Sequence, residues 1–487
     1  MALRLQNVLF RFALVAFLLF SVRAIAQENA SASLRDFDFV IDIVETDYAG
    51  FPTKTEGEKR DAYERAKKSA RAAIAADPDT AVIEIRNLLG WFEDGHLGLS
   101  GPPSGFPSAV ADRASLEPGM SRTATEEDAR RAYRKDPASI AGIWSTPNRS
   151  YELAIVPSEL VAGTFDAVVL SSQSSNWAPG DIKARLDNDR EAIWWMGDRT
   201  ERKVDVVITD TAIRFVEIDI TLIRDYPDVA IDRDRIVPAD SFFLRQLSPE
   251  TLWLRLPDFA SEHRVLIETL LLENDELIRS TPNLIVDLRN NRGGGDSSYD
   301  RLMSYLYTRP IYSVGVEFRN TARNRDGIKR QLETLDLPPS SVEFANDLLR
   351  RMRASSEDWV ASDTGGVSIE TYPEVMPLPR RVGILAAGAG SSGDQFAIDS
   401  RFSRKVTLFG GPTAGVIDYS NVVEAPLPSN ANYLLRWPTS RSQRLPEEPL
   451  DNVGVQPDVP FGPEVIDPVG RTKELLESAV LPTSFGG

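Results

Sequence analysis

Cysteine is absent from the 487 residues. That excludes disulfides, thiolate zinc sites, iron–sulfur clusters, a cysteine nucleophile and a lipid anchor on a leading cysteine. Histidine is almost absent: His96 and His263 are the only two. A histidine-rich metal site is thereby excluded, and any imidazole acid–base chemistry falls to one of this pair. Positive charge is in deficit, with Lys+Arg 55 against Asp+Glu 72 and a net charge of −17. A phosphate backbone or an anionic membrane surface would be repelled, so nucleic acid is not expected as a partner. What remains is ordinary globular composition, 42% hydrophobic and 26% charged, in a length that suits two to four domains.

Residues 1–26, MALRLQNVLFRFALVAFLLFSVRAIA, read as a signal peptide. Arg4 and Arg11 precede an apolar run from Phe12 to Val22, and Ala24-Ile25-Ala26 supplies small residues for cleavage. The run is shorter than the ~20 residues needed to span a bilayer, and no later segment is apolar enough to do so. Cleavage removes Arg4, Arg11 and Arg23 and no acid, leaving 52 basic and 72 acidic residues, a net of −20. The expectation is an exported protein, periplasmic or secreted, with no membrane span after cleavage.

The periodicity is helical over 27–105, with Phe39, Ile43, Val44 and Ile83 to Leu89 at helical spacing. Residues 103–125, rich in Pro, Ser and Gly, read as a linker. Over 125–245 short alternating runs such as YELAIV, FDAVVLSS and KVDVVI predict a separate antiparallel β-domain. From 246 to 465 strand and helix alternate: TLWLRL, NLIVDL, VGILAA and KVTLFG are continuous apolar runs of the kind that fill a buried parallel sheet. A polar, mostly helical insertion is expected over about 310–375, and 466–487 as a tail. The fold class is α/β, with functional loops at the carboxyl ends of the strands.

Three segments carry candidate chemistry. DLRNNRGGGD, Asp287 to Asp296, follows a strand, and its glycines let backbone amides approach a substrate. A flexible strand-to-helix turn explains it equally; it lacks GxGxxG and GK[ST], so nucleotide binding has no support there. GAGSSGDQF, Gly388 to Phe396, places a serine at a helix N-terminus, where the next amide can stabilise an oxyanion. Ser391 with Asp394 three residues on also reads as a variant capping box. WFEDGHLGL, Trp91 to Leu99, holds His96 between apolar neighbours, as either a placed base or a structural core histidine. His263 sits among charged residues and reads as a solvated helix face.

In the order DFDFVIDIVETDYAGF, DGHLGL, LIVDLRNNRGGGD, VGILAAGAGSSGDQFA, GGPTAG and VGVQPDV, the chain resembles the C-terminal-processing, or tail-specific, serine peptidases, from about Asp36 to Val459. The resemblance implies a crotonase/ClpP-like α/β peptidase core. That family uses either a Ser–Lys dyad or a Ser–His arrangement similar to the tricorn protease core. The lysine position just beyond GGPTAG is Val416 here, and only Lys405 and Lys473 follow Ser391, so the resemblance implies the histidine branch with His96 as base. It further implies Ser391 as nucleophile with Ser392 as fallback. The oxyanion donors are then the Ser392 amide and that of Gly293 or Gly294, and a third carboxylate is implied at Asp451, with Glu447 and Glu448 as alternatives. Two departures stand out. No PDZ-like carboxylate loop is evident between 100 and 250, and Arg292 replaces a glycine common in the turn, as a cation for a substrate carboxylate or as a solvated loop residue.

These readings converge on an exported serine peptidase acting on peptide or protein substrates, with no metal or organic cofactor and an oligomeric state that the sequence leaves open. The alternative is a non-catalytic protein of the same fold that binds a small hydrophobic molecule or peptide, with the β-domain as container. Acyl-CoA chemistry on a crotonase-like core conflicts with export.

Overall fold

The computed structural model describes residues 31–102, 121–174, 176–187, 190–197, 199–228, 232–335, 337–362 and 366–478. The expected signal peptide and most of the expected linker lie outside the described residues. Among the described residues no helix is long and apolar enough to cross a membrane.

The apolar runs of the second half form one six-stranded sheet. Thr251–Arg255, Asn283–Asp287, Arg381–Leu385, Val406–Gly410 and Val459–Pro460 lie side by side and parallel, with Phe243–Ser248 antiparallel at one edge. Alternate residues of each strand serve opposite layers. Leu252, Leu254, Leu284, Val286, Val382 and Ile384 face helices Arg264–Glu273, Asp300–Leu306 and Ser392–Ser400 through Ile267, Leu271, Leu302 and Phe396. Trp253, Ile285, Leu385 and Phe409 face the other way, against Val469 and Leu476 of helix Pro468–Glu477. Each such burial stabilises by roughly 1.5–3 kcal/mol, which explains why the central positions of these strands are apolar. The segment expected as a tail from 466 onward therefore contributes a packed layer. Its Pro and Gly content disguised a helix that Asp467 caps at Gly470 N.

The β-domain is a closed barrel of eight antiparallel strands running from Gly142–Ser145 to Ile220–Tyr226, with the first strand paired to the last. Its interior is occupied by its own side chains, Trp144, Trp194 and Phe215 among them. The expected helical insertion is corrected in part. Helices Ala322–Thr334 and Pro339–Ala354 are present, but strands flank them. Ile311–Val314 pairs with Val367–Glu370, while Val316–Arg319 pairs with Trp359–Ala361. These strands are too short to show a period-2 pattern in the sequence.

The N-terminal helices, residues 31–46, Lys59–Ala76 and Ala81–Gly90, share a core with Leu427, Leu435 and Trp437. These last residues belong to, or adjoin, the hairpin Tyr419–Pro426/Leu434–Ser442, whose second strand pairs with Gly98–Ser100. Sequence reading did not identify this hairpin, and it ties the His96 segment to the second half of the chain.

Candidate active site

Strands Asn283–Asp287 and Arg381–Leu385 are neighbours in register, so the loops that leave their carboxyl ends run together. Leu288 N–H donates to Leu385 O and Asn290 N–H to Ala387 O. The glycine turn thereby meets the serine loop: a Cβ built on Gly293 would lie 2.6 Å from Ser391 Cβ. Gly293 and Gly294 have φ of +74° and +146°, a backbone that side-chain-bearing residues rarely adopt. The glycines are there for close approach.

Ser391 itself has φ 58° and ψ −118°. For a residue with a Cβ this is a strained conformation, costing about 1–3 kcal/mol, and it presents the side chain at a sharp strand-to-helix turn. Asp394 reaches back to Ser391 N–H at 2.8 Å, the half of a capping box that the third helical residue supplies. Ser392 is buried, and its hydroxyl donates to Gly294 O at 2.9 Å, so its side chain is tied down.

Ser391, Ser392, Gly294, Gly295 and His96 line one cavity of about 640 Å³. His96 is buried, its backbone N–H donating to Asp94 Oδ1 at 2.9 Å. Its Nδ1 lies 2.6 Å from Tyr419 O, so that nitrogen carries the proton and Nε2 is the basic one. Burial holds the imidazole below its usual pKa, against the opposing effects of Asp94 and the Tyr419 carbonyl.

The contact that orients His96 is thus a main-chain carbonyl, and this differs from the expectation for Asp451. Asp451 Oδ1 accepts from the amides of Ile417 and Asp418 at 3.1 and 2.9 Å, while Asp418 Oδ2 accepts from the amides of Leu450 and Asp451 at 2.6 and 2.8 Å. The two acids clasp each other's backbone, and Asp451 Oδ2 lies 3.5 Å from Lys54 Nζ; these contacts fix the segment that leads into Tyr419. Burial, with Asp94 nearby, pushes Asp451 up to about 6. Glu447 and Glu448 are exposed and do not line the cavity.

The amides expected as oxyanion donors differ in what they bond. Gly293 N–H donates to Asn291 Oδ1 at 2.8 Å, so it is committed to holding the turn. The amides of Gly294 and Ser392 carry no acceptor among the described residues, and both residues line the cavity. Arg292 is paired with Asp240 and Asp258, which makes it a solvated loop residue. His263 Nδ1 bonds the same Asp258 at 2.6 Å, away from the cavity lining. Lys405 donates to Tyr305 O and Met376 O, and Val416 O accepts from Ser391 N–H at 3.1 Å.

Sequence reading missed the acidic wall of the cavity, formed by Asp296, Asp300, Glu370 and Asp399. Burial raises Asp296, pushes Asp300 up to about 6 and pushes Asp399 up to about 7. Gln395 and Asp399, one and two turns beyond the serines on the same helix, were legible as one helix face; Asp300 and Glu370 reach the wall only through the fold.

A strained serine in the loop after a parallel strand, with an imidazole lining the same cavity, fits the class of serine hydrolases. Comparison with known proteins makes the assignment specific. Residues 250–461, somewhat under half of the chain, match the model of peptidase family S41, and this match supports a serine-type peptidase acting on peptides or proteins. The structure is similar to that of mature CPAF, with a TM-score of 0.50 and 14% identity over 92% of this chain and 96% of that one. It is also similar to mature CPAF complexed with lactacystin, with a TM-score of 0.50 and 13% identity over 92% and 97% of the two chains. At these identities the likeness is one of fold. No curated protein matches the sequence.

Proposed function

We propose that the protein is an exported peptidase in which Ser391 attacks a peptide carbonyl while His96 Nε2 takes its proton. The tetrahedral oxyanion is received by the amides of Gly294 and Ser392. The imidazolium then protonates the leaving amine, and water, deprotonated by the same ring, releases the acyl group from Ser391. Tyr419 O keeps the proton on Nδ1 throughout. The observation that carries this reading is the backbone of Ser391, φ 58° and ψ −118°, because a mere helix cap has no need of a strained conformation opening on a cavity that also contains His96.

Ser391→Ala is expected to abolish both labelling by a serine-reactive fluorophosphonate and peptide turnover. Ser392→Ala should keep a measurable rate, since it loses a neutral hydrogen bond worth about 1 kcal/mol and keeps its amide. A dead Ser392→Ala beside an active Ser391→Ala would move the nucleophile by one residue. Export follows from residues 1–26, and amino-terminal sequencing of protein recovered outside the cytoplasm should begin at Gln27; Met1 on membrane-embedded protein would contradict it. The carrier reading is not favoured by a barrel whose interior holds Trp144, Trp194 and Phe215.

A further inference from the structure

We propose that Asp394 is a positioning residue that locks the nucleophile turn to the segment holding the base; this rests on the roles of Ser391 and His96 given above. Asp394 is fully buried, and no ion pair to it occurs among the described residues. Its carboxylate is satisfied by neutral donors alone. Oδ2 accepts from Ser391 N–H at 2.8 Å and from Val416 N–H at 3.0 Å, and Oδ1 accepts from Gly415 N–H at 3.0 Å. The Thr413 side chain also bonds it.

Helix capping asks for much less. Asp128, at the same position of helix Glu126–Lys135, bonds the backbone and hydroxyl of its own N-cap residue, Thr125, and pairs with Arg131 on the same helix. Asp394 instead directs two of its bonds to amides 21 and 22 residues further along the chain. The segment it grips touches both catalytic side chains' supports. Val416 O accepts from Ser391 N–H. The Val416 side chain abuts Gly95, where an added Cβ would meet Val416 Cγ1 at 2.8 Å, next to His96. Three residues on, Tyr419 O holds His96 Nδ1 at 2.6 Å. One carboxylate therefore fixes the backbone of the nucleophile and, through 415–419, the carbonyl that aims the base. A misplacement of either by about 1 Å is worth on the order of 100-fold in rate.

The test compares Asp394→Asn with Asp128→Ala, a variant of a carboxylate that serves only its own helix. Purified proteins shown to be folded by circular dichroism are assayed for kcat, KM and the rate of fluorophosphonate labelling. For Asp394→Asn we expect kcat and labelling to fall on the order of 100-fold with KM within about threefold, because the amide nitrogen now opposes an N–H donor. Asp128→Ala should lose thermal stability and keep kcat. A folded Asp394→Asn with kcat within about threefold of wild type overturns the proposal, as does a loss carried by KM alone. If Asp394→Asn does not fold, Thr413→Val, which removes a donor to the same carboxylate, must lower kcat without moving KM, and an unchanged kcat there overturns it equally. Turnover by Ser391→Ala would sink the underlying mechanism; inactive Ser391→Ala beside fully active Asp394→Asn would sink only the positioning role.

Discussion

Gly294→Ala and Gly295→Ala are adjacent, chemically identical substitutions for which the structure requires opposite outcomes. A Cβ on Gly294 would lie 2.1 Å from Phe259 C, 2.2 Å from Phe259 O and 2.4 Å from Ala260 N, at φ +146°. These are main-chain atoms on both sides of a peptide bond, so no side-chain rotation relieves the overlap. Overpacking costs about 1–3 kcal/mol and the backbone conformation roughly another 1–3 kcal/mol, so Gly294→Ala should destabilise by about 2–6 kcal/mol. The relaxation available is a shift of the turn, which removes the Gly294 amide from the oxyanion position. Losing one such donor lowers kcat by about 10²–10³-fold. On Gly295 the nearest atoms would be Ser261 Oγ at 3.8 Å and Ser297 Oγ at 3.9 Å, ordinary contacts, at φ −112°. Gly295→Ala should change stability by no more than about 1 kcal/mol and activity little, and it gains slightly from a stiffer unfolded chain. Thermal melts and steady-state peptide cleavage on the two variants make the comparison. Equal loss of kcat in both, or a Gly294→Ala enzyme within about threefold of wild type, would refute the reasoning.

Three further outcomes follow from the charged groups. Because burial lowers the pKa of His96 and the base must be neutral to accept a proton, kcat/KM should rise with pH about a midpoint below the ~6.5 of free imidazole and be flat at neutral pH; a midpoint above 7 refutes that electrostatic assignment. Asp451→Asn keeps an oxygen for the amides of Ile417 and Asp418 and should retain turnover within about fivefold, whereas Asp451→Ala frees the segment before Tyr419 and should lose on the order of 100-fold. Asp451 is pushed up to about 6, above its unfolded value, so its ionisation costs stability as pH rises from about 4 to about 6. The gain from Asn should grow over that window to at most about 3 kcal/mol, measured by melts at pH 4.5 and pH 8. An Asp451→Asn enzyme as inactive as Ser391→Ala would return the orienting role to the carboxylate.

The parallel sheet and the loops at its carboxyl ends were legible in the sequence because each is written in side chains; Ser391 and His96, singled out by the family resemblance, line one cavity. Strands buried on both faces are apolar at their central positions, as in NLIVD and RVGIL, whereas Ser391 with Asp394 also reads as a capping box. The barrel was legible as alternation, although not as closure, since closure depends on the pairing of Ile143 with Tyr226 across the whole domain. What only the tertiary structure decided is mostly main-chain chemistry. The oxygen that orients His96 belongs to Tyr419, and any residue type offers that oxygen. Whether Gly293 or Gly294 keeps a free amide depends on where the Asn291 side chain folds back. That Asp451 and Asp418 bind each other's backbone amides depends on how two distant segments meet. Side-chain identity and period are local properties of a chain, but the direction of a carbonyl or an amide is set by distant packing, here the pairing of Gly98–Ser100 with Leu434–Arg436 that brings the histidine to the serine.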